Sequence, residues 1–141
     1  MIRPYIMFNG NCEEALNFYA GAFGGQIKGL RRFGSIPASP DFPIPPEIRD
    51  NILHAELHFR GGFIMCSDGG ENEGAFCDGV RISVEFESEG PEQAEAEAKQ
   101  AWGALLGGGK EVMPLQPTFF ARLHGTLRDK YGVYWMFTVD K

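Results

Sequence analysis

Phe23-Gly24-Gly25-Gln26-Ile27 and Leu106-Gly107-Gly108-Gly109-Lys110-Glu111-Val112 are the two stretches that decide the fold. In each, an apolar helical stripe runs into consecutive glycines and a strand pattern follows at once. Glycine ends helices because it enters the left-handed conformation without a Cβ penalty. Upstream of the first, Cys12, Ala15, Leu16, Tyr19, Ala22 and Phe23 recur at spacings of three and four, one face of a helix. Asn11 with Glu14 predicts its start, a side-chain cap followed by an acid that bonds back. Residues 2–8 predict a strand, with a turn at 9–11. Upstream of the second, Ala94, Ala98, Ala101, Trp102 and Leu105 form the stripe, and Pro91 suits the first helical position. Before that helix, Val80, Ile82, Val84 and Phe86 alternate with Arg81, Ser83 and Glu85, a strand with one apolar face.

Downstream the order also repeats. Residues 26–32 read as a strand, and residues 34–50 as a surface loop, because five prolines there remove donors and force extended or turn geometry. Residues 52–59 alternate, Gly61-Gly62 turns, and 63–67 return as the second arm of a hairpin. Residues 69–78, rich in glycine and acid, read as a linker. In the second half a strand begins over 110–113, and two more fit 118–123 and 133–139, with a turn at 129–132. Strand, helix, glycines and three strands thus occur twice, over 1–68 and 79–141, within one domain spanning 1–141. A unit of this length is too short to fold well alone. The expectation is an α+β fold in which two βαβββ modules form a curved, cup-shaped mixed sheet. Helices cover its outside, and the concave face is left for a small molecule.

Composition narrows the function. A net charge of −6 and a pI near 5.0 argue against a nucleic-acid partner, which requires a basic face. The short basic run over 28–32 reads as a solvated strand end. Three cysteines without CxxC spacing suggest neither a disulfide framework nor a zinc knuckle. No apolar run approaches the ~20 residues that span a membrane. The start lacks a leader's charged head and apolar middle, so the expected location is a reducing cytoplasm. No glycine-rich loop follows a strand to hold a cofactor such as S-adenosylmethionine; the glycines at 107–109 follow a helix.

Pro4–Tyr19 (PYIMFNGNCEEALNFY), His54–Leu57 (HAEL), Ile64–Asp68 (IMCSD), Met113–Phe120 (MPLQPTFF) and Tyr131–Met136 (YGVYWM) occur in that order. With them the chain resembles the vicinal oxygen chelate superfamily of glyoxalase I, bleomycin-resistance proteins and extradiol dioxygenases. Within it, the chain is similar to the PhnB-like branch. The resemblance implies a cup with a divalent metal on its floor, held by His, Glu or Gln from four strands and acting as a Lewis acid. Aligned by motif, those four positions fall at Pro4, near Met65, near Arg81 and near Met136. Proline offers no donor, thioethers prefer soft metals, and a guanidinium repels any cation. No metal and no cofactor are therefore expected at the ancestral site. Phe120 stands where relatives commonly carry Trp, so a detail of the cavity wall is expected to differ.

Other residues are candidates by chemistry. His54, Glu56 and His58 share one face of a strand, where two could share a metal or line the cavity as polar groups. On that reading Leu53, Ala55, Leu57 and Phe59 pack under a helix. Arg81 and Glu85 lie opposite the apolar set of their strand. Arg81 either clamps a ligand carboxylate or phosphate or pairs across the strands with Glu85. Phe120 and Trp135 are candidates for ligand stacking. Cys66 reads as a buried inert thiol, Asp68 as a turn or loop cap, and His124 as structural. The expected function is metal-free small-molecule binding. The alternative is a metal-dependent lyase or isomerase of glyoxalase type centred on His54 and Glu56. A homodimer is expected, since relatives commonly pair and open strand edges need covering.

Overall fold

The computed structural model describes residues 1–37, 39–69, 76–77 and 79–141. The chain divides into two compact units, Met1–Glu73 and Gly74–Lys141. The first holds β1 (Tyr5–Phe8), α1 (Cys12–Phe23), β2 (Gln26–Arg32), β3 (Ile52–Phe59) and β4 (Gly62–Asp68). Its sheet runs β1-β4-β3-β2, with β1 parallel to β4 and the other pairs antiparallel. The second holds β5 (Ile82–Glu85), α2 (Pro91–Leu106), β6 (Lys110–Gln116), β7 (Ala121–Arg128) and β8 (Tyr134–Asp140). Its sheet runs β5-β8-β7-β6 with β5 parallel to β8, the same topology. The α+β class and the repeated βαβββ module hold. Most of the segment expected as a linker (70–75 and 78) lies outside the described residues.

Each helix covers one face of its own sheet. α1 buries Cys12, Ala15, Leu16 and Tyr19 against a layer that includes Ile6, Phe8, Ala55, Leu57 and Ile64. α2 buries its alanine stripe with Trp102 and Leu105 over Val84, Leu127, Trp135, Phe137 and Val139. The indole of Trp102 meets Phe137 edge to face at 5.4 Å. Each fully buried large side chain contributes roughly 1.5–3 kcal/mol. Close approach of the backbones forces glycine at 125, where a Cβ would lie 2.8 Å from Leu115 Cα and 2.9 Å from the Trp102 ring.

Several local expectations are corrected. β1 begins at Tyr5, because Pro4 has no N–H to give and enters only as an acceptor, from Met65 N at 3.0 Å. Asn11 makes no side-chain cap to α1. That role falls to Asp68, whose Oδ1 accepts from Gly10 N and Cys12 N at 2.9 Å each. Its Oδ2 accepts from Ile52 N at 2.8 Å. The β3–β4 turn is Arg60-Gly61, with positive φ of 50° and 80° and Phe59 paired to Gly62, one residue earlier than expected. The proline-rich segment contains two 3-10 turns, Phe33–Ser35 and Pro46–Ile48, rather than lacking regular structure. Val80 is 76% exposed, outside the apolar face assigned to its strand. β7 begins at Ala121 instead of Thr118; the hydroxyl of Thr118 accepts from Ala121 N where the strand starts.

Two bulges matter most. Between the pairs Lys28–Glu56 and Arg31–His54, β2 gains a residue near Gly29, whose φ is +63°. Between Arg31–His54 and Arg32–Ile52, the extra residue belongs to β3 and is Leu53. Ile52 consequently takes the buried place, fully enclosed, and Leu53 is released from the helix-covered layer where strict alternation put it.

Replacing Asp68 with Ala should cost about 3 kcal/mol or more in urea unfolding, because three backbone donors lose a charged acceptor in buried or partly buried surroundings. Asp68→Asn should fall between, since the amide keeps one acceptor oxygen. Gly125→Ala should destabilise by at least ~1–3 kcal/mol, the cost of overpacking against backbone that cannot retreat.

Candidate functional site

The face of the first sheet away from α1 carries Tyr5 and Met7 on β1, Met65 and Ser67 on β4, and Glu56 beside Met65 on β3. The bulge adds Leu53 to this side. Met7 and Leu53 form one wall of a cavity of about 380 Å³. Phe33, Phe42 and Ile48, brought over by the proline-rich segment, form the other. Phe33 and Phe42 stack at 6.5 Å with their planes 16° apart. Three polar groups interrupt the apolar lining: Asn51, Ser67 and Asp68. This size, mostly apolar with few polar groups, suits a small organic molecule. Of these residues, the sequence pointed to Asp68 as a cap and to Leu53 as packing under a helix. The signal it missed was the bulge, which changes the face of Leu53.

His54, Glu56 and His58 do not converge. His54 Nδ1 lies 3.2 Å from the Tyr5 hydroxyl, and the two rings are tilted at 5.7 Å. Glu56 Oε1 lies 2.8 Å from His58 Nε2, and the His58 ring stacks on Phe63 at 4.6 Å. The row is thus split into two self-satisfied pairs. Among the described residues no three of His, Cys, Asp and Glu are grouped to hold a metal ion. At the four positions where the family resemblance implies metal ligands stand Pro4, Met65, Arg81 and Met136, and proline, thioether and guanidinium groups do not fit a hard divalent cation.

In the second unit, Arg81 donates to the buried Thr126 Oγ1 at 3.2 Å, on the face of the sheet away from α2. Glu85 stands in register with Thr138, whose hydroxyl meets His124 Nδ1 at 3.1 Å. Phe120 is 51% exposed and meets His124 edge-on at 5.0 Å, beside the still more exposed Phe119. Trp135 is placed differently from Phe120. It is fully buried in the layer under α2, with its indole N–H donating to Asp129 Oδ2 at 2.9 Å. That position gives Trp135 no face for stacking a ligand, so its role is in the core.

The family model described as 3-demethylubiquinone-9 3-methyltransferase matches residues 1–138. The chain is 31% identical to Protein YjdN of Escherichia coli K12, over 99% of the chain and 95% of that relative. Among solved structures it is similar to protein PA1353 from Pseudomonas aeruginosa, with 34% identity and a TM-score of 0.81 over 99% of this chain and 97% of that one. The PhnB protein from Bacillus cereus matches with 28% identity and a TM-score of 0.75, covering 98% of each chain. A glyoxylase/bleomycin resistance protein/dioxygenase domain from Frankia sp. shares the fold, at 13% identity and a TM-score of 0.63 over 100% of this chain and 97% of that one.

The cysteines sort by burial. Cys12 and Cys66 are fully buried, whereas Cys77 is exposed. The hydrogen bond between the Cys12 and Cys66 side chains, then burial, pushes the Cys12 thiol far above its ordinary value. A thiol held protonated and enclosed is no nucleophile. In native protein at neutral pH a thiol-specific reagent should therefore modify Cys77 and leave Cys12 intact until denaturant is added. Peptide mass mapping before and after unfolding checks this. Rapid native modification of Cys12 would contradict the burial.

Proposed function

The chain belongs to the PhnB-like family that this model describes, and on that premise we propose that it is a small-molecule binding protein whose ligand occupies the cavity of the first unit. The observation that carries this reading is the cavity itself: about 380 Å³, walled by Met7, Leu53, Phe33, Phe42 and Ile48. An apolar or aromatic body would displace water from those walls at roughly 25 cal/mol per Å² removed from solvent. Asn51 and Ser67 at its edge supply direction through hydrogen bonds. Sequestration of this kind needs affinity and no chemical step, which accords with His54 and Glu56 being spent on Tyr5 and His58.

Methyl transfer, the activity in the family's description, would need a site for a methyl donor. In the first unit the amides of Gly10 and Cys12, at the turn into α1, already serve Asp68. The turn before α2 carries Glu87 and Glu89 with a single glycine, Gly90. Neither turn offers the glycine-rich cradle of a nucleotide-type cofactor. On the second sheet, Arg81, bonded to Thr126, is a candidate anchoring point for a ligand carboxylate or phosphate. We further propose a cytoplasmic homodimer without nucleic-acid or membrane partners. The acidic charge supports the first exclusion, and among the described residues no helix is long and apolar enough to cross a membrane.

An uncharged apolar fluorophore, N-phenylnaphthylamine, should bind saturably, and Leu53→Trp should weaken it about tenfold or more by filling the cavity. Circular dichroism melting should show the variant folded. Equal binding by a folded Leu53→Trp would remove the cavity from the proposal. Native mass spectrometry on the same samples reads oligomeric state and any co-purified ligand.

A further inference from the structure

Beyond the apolar cavity, and independently of it, the first unit carries a second concavity of about 420 Å³ whose lining includes Arg31, Arg32 and Arg49. We propose that this groove binds the phosphate group of a small phosphorylated molecule. Three guanidiniums in one groove are unexpected in a chain of net charge −6. One of them is accounted for: Arg32 bonds the Glu13 carboxylate and donates to Asp50 O at 2.8 Å. The other two are not. Arg49 reaches only a carbonyl, Gly34 O at 3.3 Å, and no carboxylate among the described residues lies within ion-pair distance of Arg31 or Arg49. Both are exposed and line the same groove, so an anion there can meet two guanidiniums at once.

The groove is also held in shape. Gly34 N donates to Arg49 O at 2.8 Å and Phe33 N to Asn51 O at 3.1 Å. A Cβ on Gly34 would approach Arg49 O at 3.0 Å, so the two segments close on each other only because residue 34 has no side chain. Arg31 is fixed from the other side by its pairing with His54 in the sheet. Two planar forks arriving from different segments suit the several oxygens of a phosphate better than the two of a carboxylate. The volume exceeds a bare ion and falls in the range of small-ligand sites. Asp50, also in the lining, makes no ion pair among the described residues. Its carboxylate opposes a bare anion but accepts hydrogen bonds from hydroxyls carried by a phosphate ester. The ligand class is therefore a phosphorylated molecule bearing hydroxyl groups.

The test follows the Gly34 and Ser35 amide resonances by NMR at low ionic strength, with inorganic phosphate and glycerol 3-phosphate as probes and chloride as control. Saturable shifts are expected with both phosphates. Arg31→Gln and Arg49→Gln should each weaken binding about tenfold, the loss of a charge-assisted contact. Asp50→Asn should tighten inorganic phosphate more than glycerol 3-phosphate, a change in selectivity that a merely structural role would not give. A dispersed spectrum shows that each variant folds, and Arg31→Lys should retain part of the affinity. Absence of saturation in folded protein, or affinity unchanged in Arg31→Gln, overturns the proposal. So does binding seen only with vesicles containing phosphatidic acid, which would move the phosphate to a lipid headgroup. Leu53→Trp should leave phosphate binding intact, so failure of the apolar cavity and failure of this groove are separately visible.

Discussion

The first unit depends on one carboxylate. Asp68 ends β4, and its two oxygens take the amides of Gly10, Cys12 and Ile52. Three segments far apart in sequence (the turn into α1, the start of β3 and the end of β4) are thereby fixed to one point. Water is a poor substitute for this acceptor at Cys12 N and Ile52 N, where both bonds are buried. An unpaired buried amide is more costly than a bond is favourable, so this constraint specifies arrangement more than it adds net stability. Asp129 does comparable work in the second unit. It accepts from Tyr131 N, Val133 N and the Trp135 indole, closing the β7–β8 turn onto the core.

From that anchor the cavity follows. Fixing Ile52 N to Asp68 sets the start of β3, and the bulge immediately after it places Leu53 on the open side with Met7. The return of the proline-rich segment to Asn51 then brings Phe33, Phe42 and Ile48 over the same space. A segment with this many prolines has little freedom to lose on ordering, so it forms a wall at small entropic cost. Its opposite side, through Gly34 and Arg49, is the basic groove. Described residues of this one segment thus line two environments, apolar at Phe33, Phe42 and Ile48 and cationic at Arg49.

The duplication was legible in the sequence because its signals are local. A 3.6-residue stripe, glycines at the helix end and two-residue alternation need no tertiary information, and both helices were found with nearly their observed limits. The site was less legible because it depends on exceptions to those periods. An inserted residue in β3 is invisible to a pattern that assumes strict alternation, so Leu53 was assigned to the helix side. The cap on α1 comes from Asp68, a residue no local rule connects to Asn11. The sequence alone leaves Trp135 open between a stacking surface and the core, because aromatic residues serve both. Only its register with Ile82 and Leu127, both on the α2 side, shows which.

On the binding function proposed above, the face of the first sheet away from α1 holds a guest through shape and burial. A metal site requires lone pairs that converge on one point and remain uncommitted. Here the same-face spacing on β3 supplies the right residue types, but each has a nearer partner. Tyr5 enters from β1 to take His54, and Phe63 from β4 flattens His58 against itself while Glu56 bonds its ring. Recruiting either histidine to a cation would mean breaking one of these contacts before gaining another. An apolar guest between Met7, Leu53 and the Phe33–Phe42 pair requires no such exchange. The physical preference of the surface is therefore for shape and burial, with polar side chains serving the protein first and a ligand only at the edge.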